Sequence, residues 1–422
     1  MEDFMDNIQL RRRSMLIIFF AWLAYIISYL GRSDYSANLI AIVEETGVAR
    51  ATAGMVSSAF ALCNTVGQCV SALVMKKIPP LKMIAIELFT VAIANAFLPA
   101  TSSFVLMAIL WGINGCMQAT LLCGLMQIFA ETLKEPYLSR GAVLLNTIGA
   151  VGGMINYLLS WFFIKYFRWQ IHFFTVSALL VIFAIMWCIL MPKLTAHKQT
   201  VTSEKKDDTS SLPSQELPRA SVLIRRYGTV FVVLGAFCVG FLRESVSLWI
   251  PSFMKDTFGF SSERSIILTA FVPCLQICGA LLGGKIGRKT GNLLLASFIV
   301  FLCSGVCFLT ISLFGGAHIA LTLVLFVINS INMTAALTFL LSLYPVRYFH
   351  KRNISLLVGV INSFVHFGDF LSASGIGWLS ENSSWSVTFL VLGVVALISS
   401  ALCFIGGYSC RKAIKEHEKT RI

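Results

Sequence analysis

Apolar stretches, each long enough to cross a bilayer and separated by short polar breaks, recur from one end of this chain to the other. They run over residues 14–42, 51–75, 81–99, 102–131, 141–165, 170–192, 227–254, 264–284, 291–314, 317–346, 354–379 and 385–408. Every one exceeds the roughly 18 residues that span the hydrocarbon. Over such lengths only a helix satisfies its own backbone in lipid. The fold class expected is therefore an all-α polytopic membrane protein with twelve transmembrane helices. Composition agrees: 57% of the 422 residues are hydrophobic and 13% charged, against about 45–50% and about 25% in soluble chains. The first stretch is too long for a cleaved signal peptide and lacks a small-residue cleavage site.

The net charge of +13 raises the question of a nucleic-acid partner. The placement of the basic residues answers it. With the N-terminus cytoplasmic, 26 of the 33 Lys and Arg fall in inside loops and termini and 5 outside. That is the asymmetry of a membrane topology. The charge is scattered through short loops and forms no binding stripe, so no nucleic-acid partner is expected. The remaining two, Arg32 and Arg243, lie within apolar spans.

One loop is long. Residues 194–226 have the Ser-, Lys- and Asp-rich composition of a flexible cytoplasmic linker. They divide the chain into a six-helix bundle at 1–193 and another at 227–410, followed by a cytoplasmic tail at 411–422. Arg32 and Arg243 are 211 residues apart and the basic turns at Lys77 and Lys285 are 208 apart, an offset that suggests duplication. Two pseudo-symmetric six-helix halves describe the major facilitator architecture. Gly283-Gly284-Lys285-Ile286-Gly287-Arg288-Lys289 resembles that superfamily's D-R-x-G-R-K loop. Gly284 stands at the Asp, and the first-half copy is reduced to Met75-Lys76-Lys77.

The twelve cysteines lie in or at the ends of apolar spans, away from an oxidising loop. Cys274/Cys278 and Cys303/Cys307 share helix faces, but no His or carboxylate neighbours them, so packing is expected and no metal or other cofactor. With no metal cluster, nucleophile–base set or phosphate-cradling loop, the chain is not read as an enzyme.

Chemistry is expected where polar residues enter the membrane, because a mid-bilayer Arg costs a few kcal/mol or more and usually faces a pathway. Arg32 and Arg243 sit at similar depth in the first helix of each half. Their planar guanidiniums match phosphate or carboxylate oxygens. The bland alternative is pairing with resident carboxylates. Asp34 points away from Arg32, Glu244 is assigned to a different face from Arg243, and Glu87 or Asp369 remain as interhelical partners. Tyr25, Tyr29, Arg32 and Ser36 form one stripe, either anion donors or packing. His366 and Asp369, at i,i+3, have three readings: a proton relay, substrate recognition, or neutralisation of a clamp Arg. Glu87, Asn114, Gln118, Asn329 and Asn332 are expected to be structural, the amides as interhelical glue.

Tyr25-x-x-x-Tyr29-Leu30-Gly31-Arg32-Ser33-x-Tyr35-Ser36 resembles the first helix of the organophosphate:phosphate antiporters, the bacterial glycerol-3-phosphate and hexose-phosphate transporters. Leu242-Arg243-x-x-Val246-x-x-Trp249-x-Pro251-Ser252-Phe253 is similar to that family's seventh helix. Arg140-Gly141, Asn146 and Val151-Gly152-Gly153 resemble the start of its fifth, with one residue fewer before the Asn. The resemblance covers both halves, but its specific motifs occupy only these three spans.

The resemblance implies that Arg32 and Arg243 grip phosphate, with Tyr25 and Tyr29 lining the site; Asn146 and His366 are further substrate-binding candidates. It implies a plasma-membrane secondary transporter working by alternating access, in exchange for inorganic phosphate. It does not cover His366 and Asp369 as candidates for coupling. Surrounding positive charge is lost: the family's fifth-span His falls on Gly149 and its Trp on Leu145. The basic residue after the first Arg falls on Ser33, a second-span Lys on Gln68 and an eleventh-span Tyr on His366. The substrate expected is therefore a small organic anion, an organophosphate first. Two alternatives remain open: a proton-coupled carboxylate symporter using His366 and Asp369, and a sugar-phosphate sensor of the same fold. A monomer is expected.

Overall fold

The computed structural model describes residues 2–74, 77–134, 137–145, 148–196, 228–348 and 351–419. Among these residues all regular structure is helical. The first half comprises α1 (Glu2–Thr46), α2 (Arg50–Val74), α3 (Pro80–Phe97), α4 (Phe104–Gln118), α5 (Leu121–Thr132), α6 (Tyr137–Leu145), α7 (Ile148–Tyr166) and α8 (Trp169–Thr195). The second comprises α9 (Thr229–Phe258), α10 (Ser262–Thr269), α11 (Phe271–Lys289), α12 (Leu293–Phe314), α13 (Ile319–Leu337), α14 (Tyr344–Tyr348), α15 (Lys351–Asn382) and α16 (Trp385–Lys419). A π-helical turn, Thr338–Leu343, joins α13 to α14. Residues 197–226 of the expected linker, and Asn146, lie outside the described residues.

Each expected span falls on one helix or on a consecutive pair. Eight of these segments are long and apolar enough to cross a membrane. The others, α2, α6–α7, α10–α11 and α15, include the two helices whose polar residues meet inside the protein. Local chemistry sets several ends. Pro80 opens α3, where its missing N–H costs nothing. Asn292 caps α12, its Oδ1 accepting from the backbone N–H groups of Leu294 and Leu295 at 3.1 and 3.3 Å. Gly259 ends α9 with φ 67°, a left-handed conformation open to glycine.

One buried cluster, including Ile17, Leu88, Phe129 and Trp187, belongs to the first half. A larger one runs from Tyr35, Trp111 and Phe173 into the second half through Trp249, Phe326 and Phe389. Opposite these interiors, α3, α8, α12 and α16 expose Ile93, Ile182, Ile299 and Ile398, surfaces suited to lipid. Amides fasten α1: Asn114 Nδ2 donates to the Gly31 carbonyl at 2.8 Å and Gln118 Nε2 to that of Ser28 at 2.8 Å. The expectation of glue is not met at Asn329, whose buried side-chain N and O have no hydrogen-bond partner. Glu87 takes a bond from the Ser28 hydroxyl rather than from an arginine.

The halves meet tightly at the end far from the linker. Glu44 on α1 accepts from Lys255 and Ser262. Arg50 on α2 pairs with Asp256 and donates its backbone N–H to Glu381 at 3.1 Å. Between them two helices touch backbone to backbone. Gly54 on α2 lies against the Ala373 carbonyl of α15, and Gly377 on α15 lies against the Arg50 carbonyl, so a Cβ at either would collide. Among the described residues, polar contacts between the halves reach from this end to Gln68 and Asn362, and none lies nearer the linker.

Candidate functional site

Arg32 stands 14 residues before the far end of α1 and Arg243 15 before that of α9. The sealing residues Glu44 and Lys255 lie 12 residues beyond Arg32 and Arg243 respectively, so at 1.5 Å per residue both arginines lie about 18 Å from the seal. They face one cavity of about 340 Å³ between the halves, near the lower bound of ligand pockets. Its wall includes Tyr29, Ser33 and Ser36 of α1, Ser57 and Phe60 of α2, and Gly149, Gly153 and Tyr157 of α7. The second half contributes Arg243, Glu244 and Ser247 of α9, Gln276 of α11 and His366 and Asp369 of α15.

The two guanidiniums are held differently. Arg32 lies over the Phe60 ring, 5.1 Å from its centroid, and 5.8 Å from that of Tyr29. Among the described residues no carboxylate comes within 4.0 Å of it. Rings attract a cation without neutralising it, so Arg32 keeps its full donor capacity toward the cavity. Tyr29 is seated by Gly152, where a Cβ would come within 2.8 Å of the ring. Tyr25, one turn earlier, packs against the first-half core and is not among the residues of the cavity wall.

Arg243 is instead gripped by a carboxylate. Its Nη2 donates to both oxygens of Asp369, at 3.2 and 3.3 Å. Asp369 is 4% exposed and also meets His366 Nδ1 at 2.9 Å. The imidazole's Nε2 lies 3.2 Å from the Gln68 amide nitrogen, whose Oε1 accepts from Asn362 at 2.5 Å. An amide nitrogen only donates, so His366 accepts at Nε2 and donates from Nδ1 to Asp369. A continuous polar chain thus joins α2 in the first half to α15 and α9 in the second.

Glu244 departs from expectation. Assigned from sequence to a face away from the site, it lines the cavity beside Arg243. Successive helical residues are about 100° apart, and a cavity bounded by several helices subtends more than that angle. No basic group among the described residues lies within 4.0 Å of the Glu244 carboxylate.

The geometry is that of a small polar chamber midway between two helical bundles, with the chain's intramembrane arginines on opposite walls. Comparison with known proteins decides the family. The family model described as Major Facilitator Superfamily matches residues 21–368. The chain belongs to this superfamily. A hexuronate transporter of Bacillus subtilis is 23% identical over 91% of this chain and 92% of that protein. A probable hexose phosphate transport protein of Chlamydia trachomatis is 19% identical, covering 96% and 93%. Among solved structures, a bacterial homologue of the human lysosomal transporter Spinster, inward-facing and unoccupied, superimposes with TM-score 0.79. Sequence identity there is 14%, covering 95% of this chain and 98% of that one. This major facilitator protein is thus a multi-pass membrane protein of a transporter family.

Proposed function

We propose that this chain is a secondary active transporter that moves a small organic anion, an organophosphate first, across the plasma membrane. The observation that carries the reading is Arg32: an intramembrane guanidinium lining a closed-ended cavity with no carboxylate beside it. An oxyanion is the partner that such a group lacks. The similarity to a hexose phosphate transport protein along nearly the whole chain supports the organophosphate. Bound anion draws Arg32 and Arg243 together, and rocking of 1–193 against 227–410 about the linker 194–226 exposes it alternately. With both termini cytoplasmic, the sealed far end is the outer one and the site faces inward. Inorganic phosphate is the exchanged ion, and the working unit is a monomer.

The test is uptake of labelled glycerol 3-phosphate into phosphate-loaded proteoliposomes. Uptake dependent on internal phosphate is expected; uptake indifferent to it sinks exchange, and no uptake of any phosphate ester sinks the substrate class.

A second reading, a proton-coupled carboxylate symporter, is favoured by the Arg243–Asp369–His366 chain. A carboxylate poised between a guanidinium and an imidazole is suited to exchanging a proton for an ion pair. The similarity to a hexuronate transporter points the same way. Uptake of a hexuronate driven by an imposed pH gradient, without internal phosphate, distinguishes it.

A further inference from the structure

The cavity holds two ionic groups that the protein leaves unpaired, and they have opposite sign. Asp369 occupies Arg243 with both its oxygens. Arg32 of the first half and Glu244 of the second both line the cavity, each without an oppositely charged group within 4.0 Å among the described residues. His366 lies between Gln68 and Asp369. The cavity wall thus carries two guanidiniums matched by two carboxyl groups. As a sphere, 340 Å³ is only about 9 Å across, so a single small molecule in it meets both walls.

From this balance we infer that the substrate is zwitterionic: its phosphate or carboxylate goes to Arg32 and a primary ammonium group goes to Glu244. The inference rests on the anion reading above and narrows its substrate class. A bare anion on Arg32 leaves the Glu244 carboxylate uncompensated in a chamber emptied of bulk water, and an unpaired buried charge is costly. An ammonium group at the opposite pole removes that cost.

The wall around Glu244 suits an ammonium. Ser247, one helical turn further along α9, also faces the cavity. Tyr157, which also lines the cavity, donates its hydroxyl to the Ser247 carbonyl at 2.8 Å. No lysine or third arginine belongs to the cavity wall among the described residues. Charge complementarity of this kind selects among ligands more than it raises affinity for all of them.

The experiment measures binding to the purified full chain by isothermal titration with two matched pairs, 2-aminoethyl phosphate against ethyl phosphate and β-alanine against propionate. In the unmodified protein the amine-bearing member of at least one pair is expected to bind about tenfold tighter or more. Glu244→Gln should reverse that order, weakening the amine and tightening the plain anion by removing a repulsive charge. Glu244→Asp, which keeps the charge, should preserve the original preference and controls for misfolding. Equal or tighter binding of the plain anion by the unmodified protein overturns the inference and leaves the anion reading standing. So does an amine preference that survives Glu244→Gln. Failure of both pairs and of inorganic phosphate to bind overturns the inference together with the anion reading.

Discussion

Arg32 and Arg243 occupy equivalent positions in the two halves and the same depth, yet their surroundings differ in kind. Arg32 rests on the rings of Phe60 and Tyr29. Arg243 is fixed by both oxygens of a nearly buried carboxylate that is itself tied to His366. Duplication supplies two guanidiniums, but a pair of alike positions need not carry a pair of alike tasks. The first is available to a ligand; the second is already part of an interhelical structure that a ligand must share or displace. The clamp suggested by sequence symmetry is electrostatically one-sided.

Four single substitutions and one double variant break or sharpen that contrast. Asp369→Asn should have the largest effect, because it strands Arg243. Removing one partner of a buried ion pair costs about 3–5 kcal/mol, and the side chains here are 26% and 6% exposed, which places the loss near 3 kcal/mol. Unfolding of the purified protein reads it. The double variant Asp369→Asn with Arg243→Gln should recover part of the loss, and strict additivity would deny the coupling.

Arg32→Lys comes next. A point charge on a flexible stem cannot reproduce the planar fork, and uptake in proteoliposomes should fall about 100-fold, the worth of a charge-assisted bidentate contact. Arg243→Lys should be milder, about tenfold, since Asp369 already draws on its donors. Equal losses at the two positions would restore a symmetric clamp. The smallest change is Phe60→Leu, which takes away the ring beneath Arg32. Such a contact is worth about 0.5–1 kcal/mol, so the apparent substrate affinity should shift by a few-fold and stability hardly at all.

Much of this architecture is legible in the sequence because lipid imposes one long-range rule. Span length, the basic residues of the loops and the depth of Arg32 and Arg243 all follow from it. The pairing of Asp369 with Arg243 was one of three readings that sequence left open, since the azimuth of one helix relative to another is a tertiary property. Glu244 lines the cavity for the same reason: Arg243 beside it does not by itself define the whole inward face of the helix. Tyr25 followed the stripe of Tyr29 and Arg32, but α1 leaves the cavity wall one turn too soon for it. Asn114 and Gln118 met the expected backbone carbonyls, whereas Asn329 found none. A mid-span amide alone does not say whether a neighbouring helix offers an acceptor.

The glycine seam at the sealed end bears on how readily the protein turns over. Where Gly54 meets Ala373 and Gly377 meets Arg50, the two halves touch through main chain, and beside them Ser58 donates to the Phe370 carbonyl at 2.7 Å. The close backbone contact itself leaves little side chain to rearrange when the halves part. Resistance to opening then falls on the rim, where the Arg50–Asp256 and Lys255–Glu44 pairs are 19–42% exposed. Exposed pairs of this kind hold by about 1 kcal/mol or less and weaken with salt. The sealed end is therefore held at its rim by a light, ion-sensitive catch.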